Sequence, residues 1–356
     1  MSSKSQAPVN SGQDSHIKWV PANSIFFTVN GLYWIKENKG AFFRLPRRAE
    51  KLVTPAVWGL SQNPSGGRIR FKTDSTCLKL RIQHGGGALA MYHMCAVGVS
   101  GIDLYEGPPE KMIFWTSNSP GDAVNPYVCG YFENLPRTTR EFTLYLPTYS
   151  NLNSLEIGLD QKARVAPPSP FRLKKPIAFY GTSITQGGCA SRGSNGFVPL
   201  VGRMLGVDVV NLGFSGSGKG EPEMADFLSE IDAACYVIDS VANMPPELMK
   251  ARYGKFVAKV REKRPGRPIL LMTRIRYSRE NYTGTASRDL QNKFVFETYN
   301  LHIKQGDKNI YLFDSTKVIG LGGNHPSVDG CHLTDLGFKM LADALAPVLT
   351  EIIGMD

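Results

Sequence analysis

Residues 177–188 read IAFYGTSITQGG, an apolar run that breaks into a glycine-flanked loop carrying Ser183. Beyond the loop, Phe197, Leu200, Val201, Met204 and Leu205 follow the i, i+3, i+4, i+7, i+8 spacing of a helix with one apolar face. The same strand–loop–helix rhythm then recurs. A strand over 207–212 precedes a helix with Met224, Phe227, Leu228 and Ile231 on one side. Strands over 235–239, 268–272 and 310–313 precede helical patterns around 247–263, 289–304 and 334–353. Five such repeats predict an α/β domain with a five-stranded parallel sheet covered on both faces. Ligands of such sheets bind beyond the carboxyl ends of the strands, so the loops there are the place to look for chemistry.

Upstream of about residue 165 the rhythm is different. Short runs rich in β-branched and aromatic residues (24–29, 68–72, 77–82, 111–116, 141–146, 154–159) alternate with Gly, Pro, Asn and Asp. That pattern predicts an all-β sandwich. The expected organisation is a disordered leader over 1–17, a sandwich over 18–165, a proline-bearing linker over 166–175 and the α/β domain over 176–354. All four tryptophans fall in the first half, where packing is a better expectation than sugar stacking.

The composition narrows the function classes. With 42% apolar residues in 356, the chain is neither disordered nor fibrous. No stretch has the length and apolarity of a membrane helix, and residues 1–17 lack the apolar core of a signal peptide. A cytoplasmic location is expected for the chain as it stands, and a periplasmic or secreted one if it is a mature form. The net charge of +10 is shared by both halves and concentrated in neither, which argues against nucleic acid. The 6 cysteines form no Cys-x-x-Cys pair and show no zinc-type spacing with histidine, so neither a disulfide scaffold nor a metal is expected.

Four loops carry candidate residues. Ser183, two positions past its strand, is either an exposed nucleophile or a helix N-cap. The second loop, Gly213 to Gly220, resembles a P-loop through Gly213, Gly218 and Lys219. It lacks the Mg²⁺-binding hydroxyl, since position 220 is Gly, and it is followed by Glu221 and Glu223. Its glycines suit backbone N–H groups facing an open site. Asn243 in the third loop is either an amide aimed at developing negative charge or part of a plain turn. In the last loop Asp329 and His332 are spaced for a carboxylate that orients an imidazole. His325 is a rival base, and Cys331 and Ser215 are rival nucleophiles.

Taken in order, these blocks resemble the SGNH (GDSL-type) hydrolase superfamily. Ser183 falls in its first block, Gly216 (within NLGFSG) in the second, Asn243 in the third, and Asp329 with His332 in the last. Residues 101–105, GIDLY, resemble the G-x-D-L-Y signature of a β-sandwich that precedes one bacterial subfamily. In that subfamily NLGFSG-x-GK-x-EPE recurs, which accounts for the P-loop look-alike at 211–223. Thr182 stands where the family commonly has Asp, and Leu333 where it has Pro.

The resemblance implies a flavodoxin-like catalytic domain behind a jelly-roll-like sandwich. It also implies a serine esterase acting on short acyl, particularly acetyl, esters of a carbohydrate. Ser183, His332 and Asp329 would form the triad. The backbone N–H groups of Ser183 and Gly216, with the Asn243 amide, would form the oxyanion hole. No cofactor, metal or membrane is expected, and the partner is a small-molecule or glycan ester. A P-loop-like nucleotide enzyme and a catalytically inactive carbohydrate-binding protein are the alternatives.

Overall fold

A computed structural model describes residues 16–118, 125–320, 323 and 325–355. The expected leader therefore lies outside the described residues except for 16 and 17, and Ile17 already belongs to the first strand. Among the described residues the first half builds ten strands: β1 Ile17–Pro21, β2 Thr28–Asn30, β3 Arg68–Thr73, β4 Leu78–His84, β5 Asp103–Glu106, β6 Ile113–Ser117, β7 Tyr127–Phe132, β8 Arg140–Tyr145, β9 Leu152–Asp160 and β10 Val165–Ala166. They form two antiparallel sheets, ordered β1-β9-β4-β7 and β10-β3-β8-β5-β6, with β2 also on β3. Alternation puts Leu78, Leu80, Ile82, Leu155, Ile157 and Leu159 of one sheet into a common core with Ile69, Phe71, Phe142 and Leu144 of the other.

The strand expected over 24–29 is shorter than its composition suggests. Phe27 N–H closes a turn on the Ser24 carbonyl, Ile25 is 97% exposed, and pairing starts only at Thr28. Short helices at Pro55–Ser61 and Ala96–Ser100 also interrupt the strand pattern. They are too brief to generate a helical period. The expected linker is fastened down. Ala166 extends β10 beside Lys72, and Ser169 donates its N–H and hydroxyl to Glu141.

The second half supplies β11 Ile177–Gly181, β12 Val209–Gly213, β13 Cys235–Asp239, β14 Ile269–Met272 and β15 Ile310–Phe313. All neighbours are parallel, in the order β12-β11-β13-β14-β15, the flavodoxin-like arrangement. Strands β11 to β14 are buried along their whole length, which explains their unbroken apolar sequence. Helices Pro222–Glu230, Pro246–Lys263 and Ala286–Lys304 cover one face. Helices Phe197–Leu205 and Asp335–Ile352 cover the other.

The two halves interlock. Trp34 of the sandwich joins the core of the α/β domain and donates its Nε1–H to Glu230 (3.0 Å), while Arg48 pairs with the same carboxylate. The GIDLY segment is part of this seam. Buried Asp103 accepts the Ser194 N–H at 2.8 Å, and the Tyr105 hydroxyl meets the Ser194 hydroxyl at 3.0 Å. Its Asp and Tyr thus read as docking residues rather than as ligands. Among the described residues no helix is long and apolar enough to cross a membrane.

Candidate active site

The chain leaves β11 through Gly181 into a one-turn helix, Ser183–Gln186, whose first residue is Ser183. A side chain at 181 would collide with Thr185 Oγ1 and the Asp239 carbonyl, so the turn requires glycine. Thr182 caps the helix: its hydroxyl accepts from Ile184 N–H (3.3 Å), and Thr185 Oγ1 accepts from Thr182 N–H (3.2 Å). The threonine that departs from the family pattern therefore does the local work of holding the loop. The Ser183 N–H lies in the first turn, where no helical acceptor exists.

Ser183 Oγ lies 2.9 Å from His332 Nε2, and His332 Nδ1 lies 2.7 Å from Asp329 Oδ2. These residues meet because the segment 326–334 folds tightly on itself before the last helix. Val328 N–H bonds the His332 carbonyl and Thr334 N–H bonds the Pro326 carbonyl. Leu333, buried in the core, anchors the segment. The second carboxylate oxygen, Asp329 Oδ1, accepts the N–H groups of Cys331 and His332 at 3.0 and 2.8 Å. Partial burial opposes the charge on Asp329, but the His332 contact and these two N–H groups outweigh it. The carboxyl is pulled down to about 2.

The rival residues are otherwise engaged. His325 spends Nδ1 on the Ser327 hydroxyl (2.9 Å) and Nε2 on the Arg276 carbonyl (3.0 Å). The Ser215 hydroxyl faces the buried Tyr149 phenol, and burial pushes up the Cys331 thiol.

The loop after β12 settles the P-loop resemblance. Gly213 N–H goes to Asn211 Oδ1, Phe214 N–H to the Gly181 carbonyl and Ser215 N–H to Gln186 Oε1. Ser217 and Gly218 both donate to the Phe214 carbonyl, Lys219 to Glu221 Oε2 and Gly220 to the Tyr180 hydroxyl. A phosphate cradle needs several free N–H groups, and this loop has consumed them. Among the described residues, only the Gly216 N–H of this run has no acceptor. Gly216 adopts φ +65°, with nothing within 4 Å of where a Cβ would sit. Asn243, at the end of the turn after β13, donates one amide hydrogen to the Phe214 carbonyl (3.2 Å), which ties it to the same loop.

Two family models match: the N-terminal domain of SGNH-hydrolase-type esterases over residues 17–165, and the GDSL-like lipase/acylhydrolase family over 174–350. The chain belongs to the GDSL-like lipase/acylhydrolase family. It is a carboxylic ester hydrolase with an SGNH-type α/β domain. A Bacteroides ovatus protein named a candidate GDSL-like lipase is similar over 96% of this chain and 99% of its own, with 29% identity and a TM-score of 0.87. A salicylyl-acyltransferase from a tetracycline biosynthetic pathway shares the fold at 18% identity and TM-score 0.77, covering 95% of this chain and 98% of its own. A family two carbohydrate esterase from Clostridium thermocellum, solved with cellohexaose, does so at 16% and 0.59, covering 82% and 93%. The search of curated proteins returned no match.

Three features of this GDSL-like hydrolase escape sequence reading, and two come from the sandwich. Arg44, 1% exposed, reaches under the β12 loop and donates to the carbonyls of Asn211 and Gly213 there, and to Leu60 and Asn63 in its own domain. Its guanidinium lies 4.7 Å from the Phe214 ring. His93 brings a second imidazole edge-on to His332, with ring centroids 5.8 Å apart.

The third is Asp239, at the end of β13. Burial holds its carboxyl up to about 7, against the pull of the Thr185 hydroxyl at 2.8 Å. The folded state therefore binds this proton more tightly than the unfolded chain, whose ordinary value is 3.8. The contribution of Asp239 to stability is complete below about 4 and is lost as pH rises through about 7. Asp239→Asn keeps an acceptor for Thr185 and cannot ionise. Urea unfolding at pH 4 and pH 8 should show little gain at the lower pH and a gain on the order of a few kcal/mol at the higher. Equal gains at both would contradict the assignment.

Proposed function

We propose that this hydrolase removes short acyl groups, acetyl above all, from a carbohydrate through a Ser183–His332–Asp329 triad. The observation that carries the reading is the continuous chain of contacts from Ser183 Oγ through both imidazole nitrogens of His332 to Asp329. Ser183 Oγ attacks the ester carbonyl carbon while His332 Nε2 takes its proton. The tetrahedral intermediate collapses, the sugar alcohol leaves with that proton, and the acyl group stays on Ser183. Water, deprotonated by His332, attacks the acyl carbon. The acid then departs as Ser183 regains its proton.

Asp329 keeps the imidazole in the tautomer with Nε2 free. The unpaired Gly216 N–H, the first-turn Ser183 N–H and the Asn243 amide support an oxyanion site. The glycan alcohol draws support from the carbohydrate esterases that share the fold, and from Tyr92. That residue is 95% exposed and stacked on His93 beside the triad, an aromatic face of the kind that packs on a sugar ring.

A fluorophosphonate probe should label the chain once, and peptide mapping should find the adduct on Ser183. An adduct on Ser215 or Cys331 would sink the assignment. With p-nitrophenyl esters, kcat/KM should fall from acetate through butyrate to octanoate, and a panel of acetylated glycans identifies the alcohol. Asn243→Ala should lower kcat by about 10²–10³ with the melting curve preserved. Undiminished turnover would remove Asn243 from the oxyanion site.

A further inference from the structure

We propose that His93, Cys189 and His332 form a soft-metal site, and that Zn²⁺ bound there silences the esterase. The three residues come from three separate segments: the 85–95 loop of the sandwich, the turn after the Ser183 helix, and the last catalytic loop. One donor atom from each lies within 4.8 Å of the other two. Two imidazole nitrogens and a thiolate suit Zn²⁺, and the set holds no carboxylate oxygen of the kind that Mg²⁺ and Ca²⁺ prefer.

A second observation points the same way. His93 Nδ1 is buried and has no hydrogen-bond partner among the described residues. The ring is held between Tyr92, stacked at 4.2 Å, and the edge of His332. An orphaned ring nitrogen in that position gains a partner when a metal arrives. Zinc bonds of about 2.0–2.3 Å require the donors to draw together slightly.

The consequence for catalysis follows from the wiring of His332. Its Nδ1 is committed to Asp329, so the lone pair open to a metal is on Nε2, which faces Ser183 Oγ. A metal there displaces the serine and removes the base. Cys189, a buried free thiol, releases its proton to solvent as the thiolate–metal bond forms. The fourth position is left to water. Neither oxidant nor reductant is involved.

The inhibitory half rests on the proposed triad, whereas metal binding does not, so the test begins with Ser183→Ala. Titrating that variant with Cd²⁺ should produce a thiolate-to-cadmium ultraviolet band that saturates at one equivalent. Adding Cys189→Ser should abolish the band, and adding His93→Ala should weaken binding at least about tenfold. Circular dichroism melts check that each variant folds. Should Cys189→Ser fail to fold, His93→Ala, on its partly exposed loop, carries the test alone. No band, a band that survives Cys189→Ser, or unchanged affinity in His93→Ala would overturn the site. In the active enzyme, stoichiometric Zn²⁺ should abolish ester hydrolysis and a chelator should restore it. Full activity with the site filled would overturn the inhibitory role.

Discussion

Ser183→Ala and His332→Ala should each lower kcat for p-nitrophenyl acetate by about 10⁶, and the double variant by no more than either alone. The non-additivity is the informative part. His332 Nε2 contacts Ser183 Oγ and His332 Nδ1 contacts Asp329, so in the proposed triad each member would work only through its neighbour. Asp329→Asn should cost less, about 10⁴, because an amide at that position can donate to Nδ1 and favours the tautomer that cannot accept the serine proton. The Asp329 carboxyl sits at about 2, so wild-type enzyme keeps it ionised well into acid. Its contribution to stability is complete above its ordinary 3.8 and is lost only as pH falls through about 2. The acid limb of the activity profile must then belong to another group, and Asp329 should not set it. Steady-state kinetics of the three single variants and one double variant test the set. Additive losses would mean that the contacts do not form a working triad.

Arg44→Met should unfold or loosen the enzyme by about 3–5 kcal/mol, and should lower kcat more than it raises KM. Four carbonyl oxygens converge on the Arg44 guanidinium, two from each side of the seam, and among the described residues no carboxylate pairs with it. Burial pulls the guanidinium down to about 9, still charged at neutral pH. Removing it strands the Asn211 and Gly213 carbonyls, the backbone that aims Gly216. The cost falls on the geometry of the proposed oxyanion site, which is felt when charge develops rather than when substrate binds. Arg44→Lys retains the charge but not the fork that reaches four acceptors, so it should recover part of the stability and little of kcat. Denaturant melts and kinetics of both variants check this. A KM effect with kcat unchanged would place Arg44 in substrate binding instead.

Local pattern was a good guide wherever a residue's environment is set by its own segment. The strands β11 to β14 announce themselves as apolar runs because both their faces are buried. The helix face of Phe197, Val201 and Leu205 is legible because periodicity and burial coincide. It misled at 24–29, where β-type composition sits in a turn, and at Ala166, where an expected linker residue pairs with β3. In both places pairing with a distant strand, not propensity, decides the outcome. The P-loop look-alike failed for a related reason. Glycine spacing describes a flexible loop, but only the fold shows where its N–H groups are spent.

What the sequence alone determined is the α/β domain behind a sandwich, and the ordered blocks that hold Ser183, Gly216, Asn243, Asp329 and His332. Each depends on neighbours a few residues away: a strand end, a glycine turn, an Asp three positions before a His. How the sandwich enters the site is set by contacts between segments far apart in the chain. Arg44, Asp103, Tyr105 and His93 act on partners roughly 90 to 240 positions distant in the chain. No periodicity links such positions. Burial makes those contacts specific, because a charged or polar side chain taken out of water must find its partner wherever the fold supplies one.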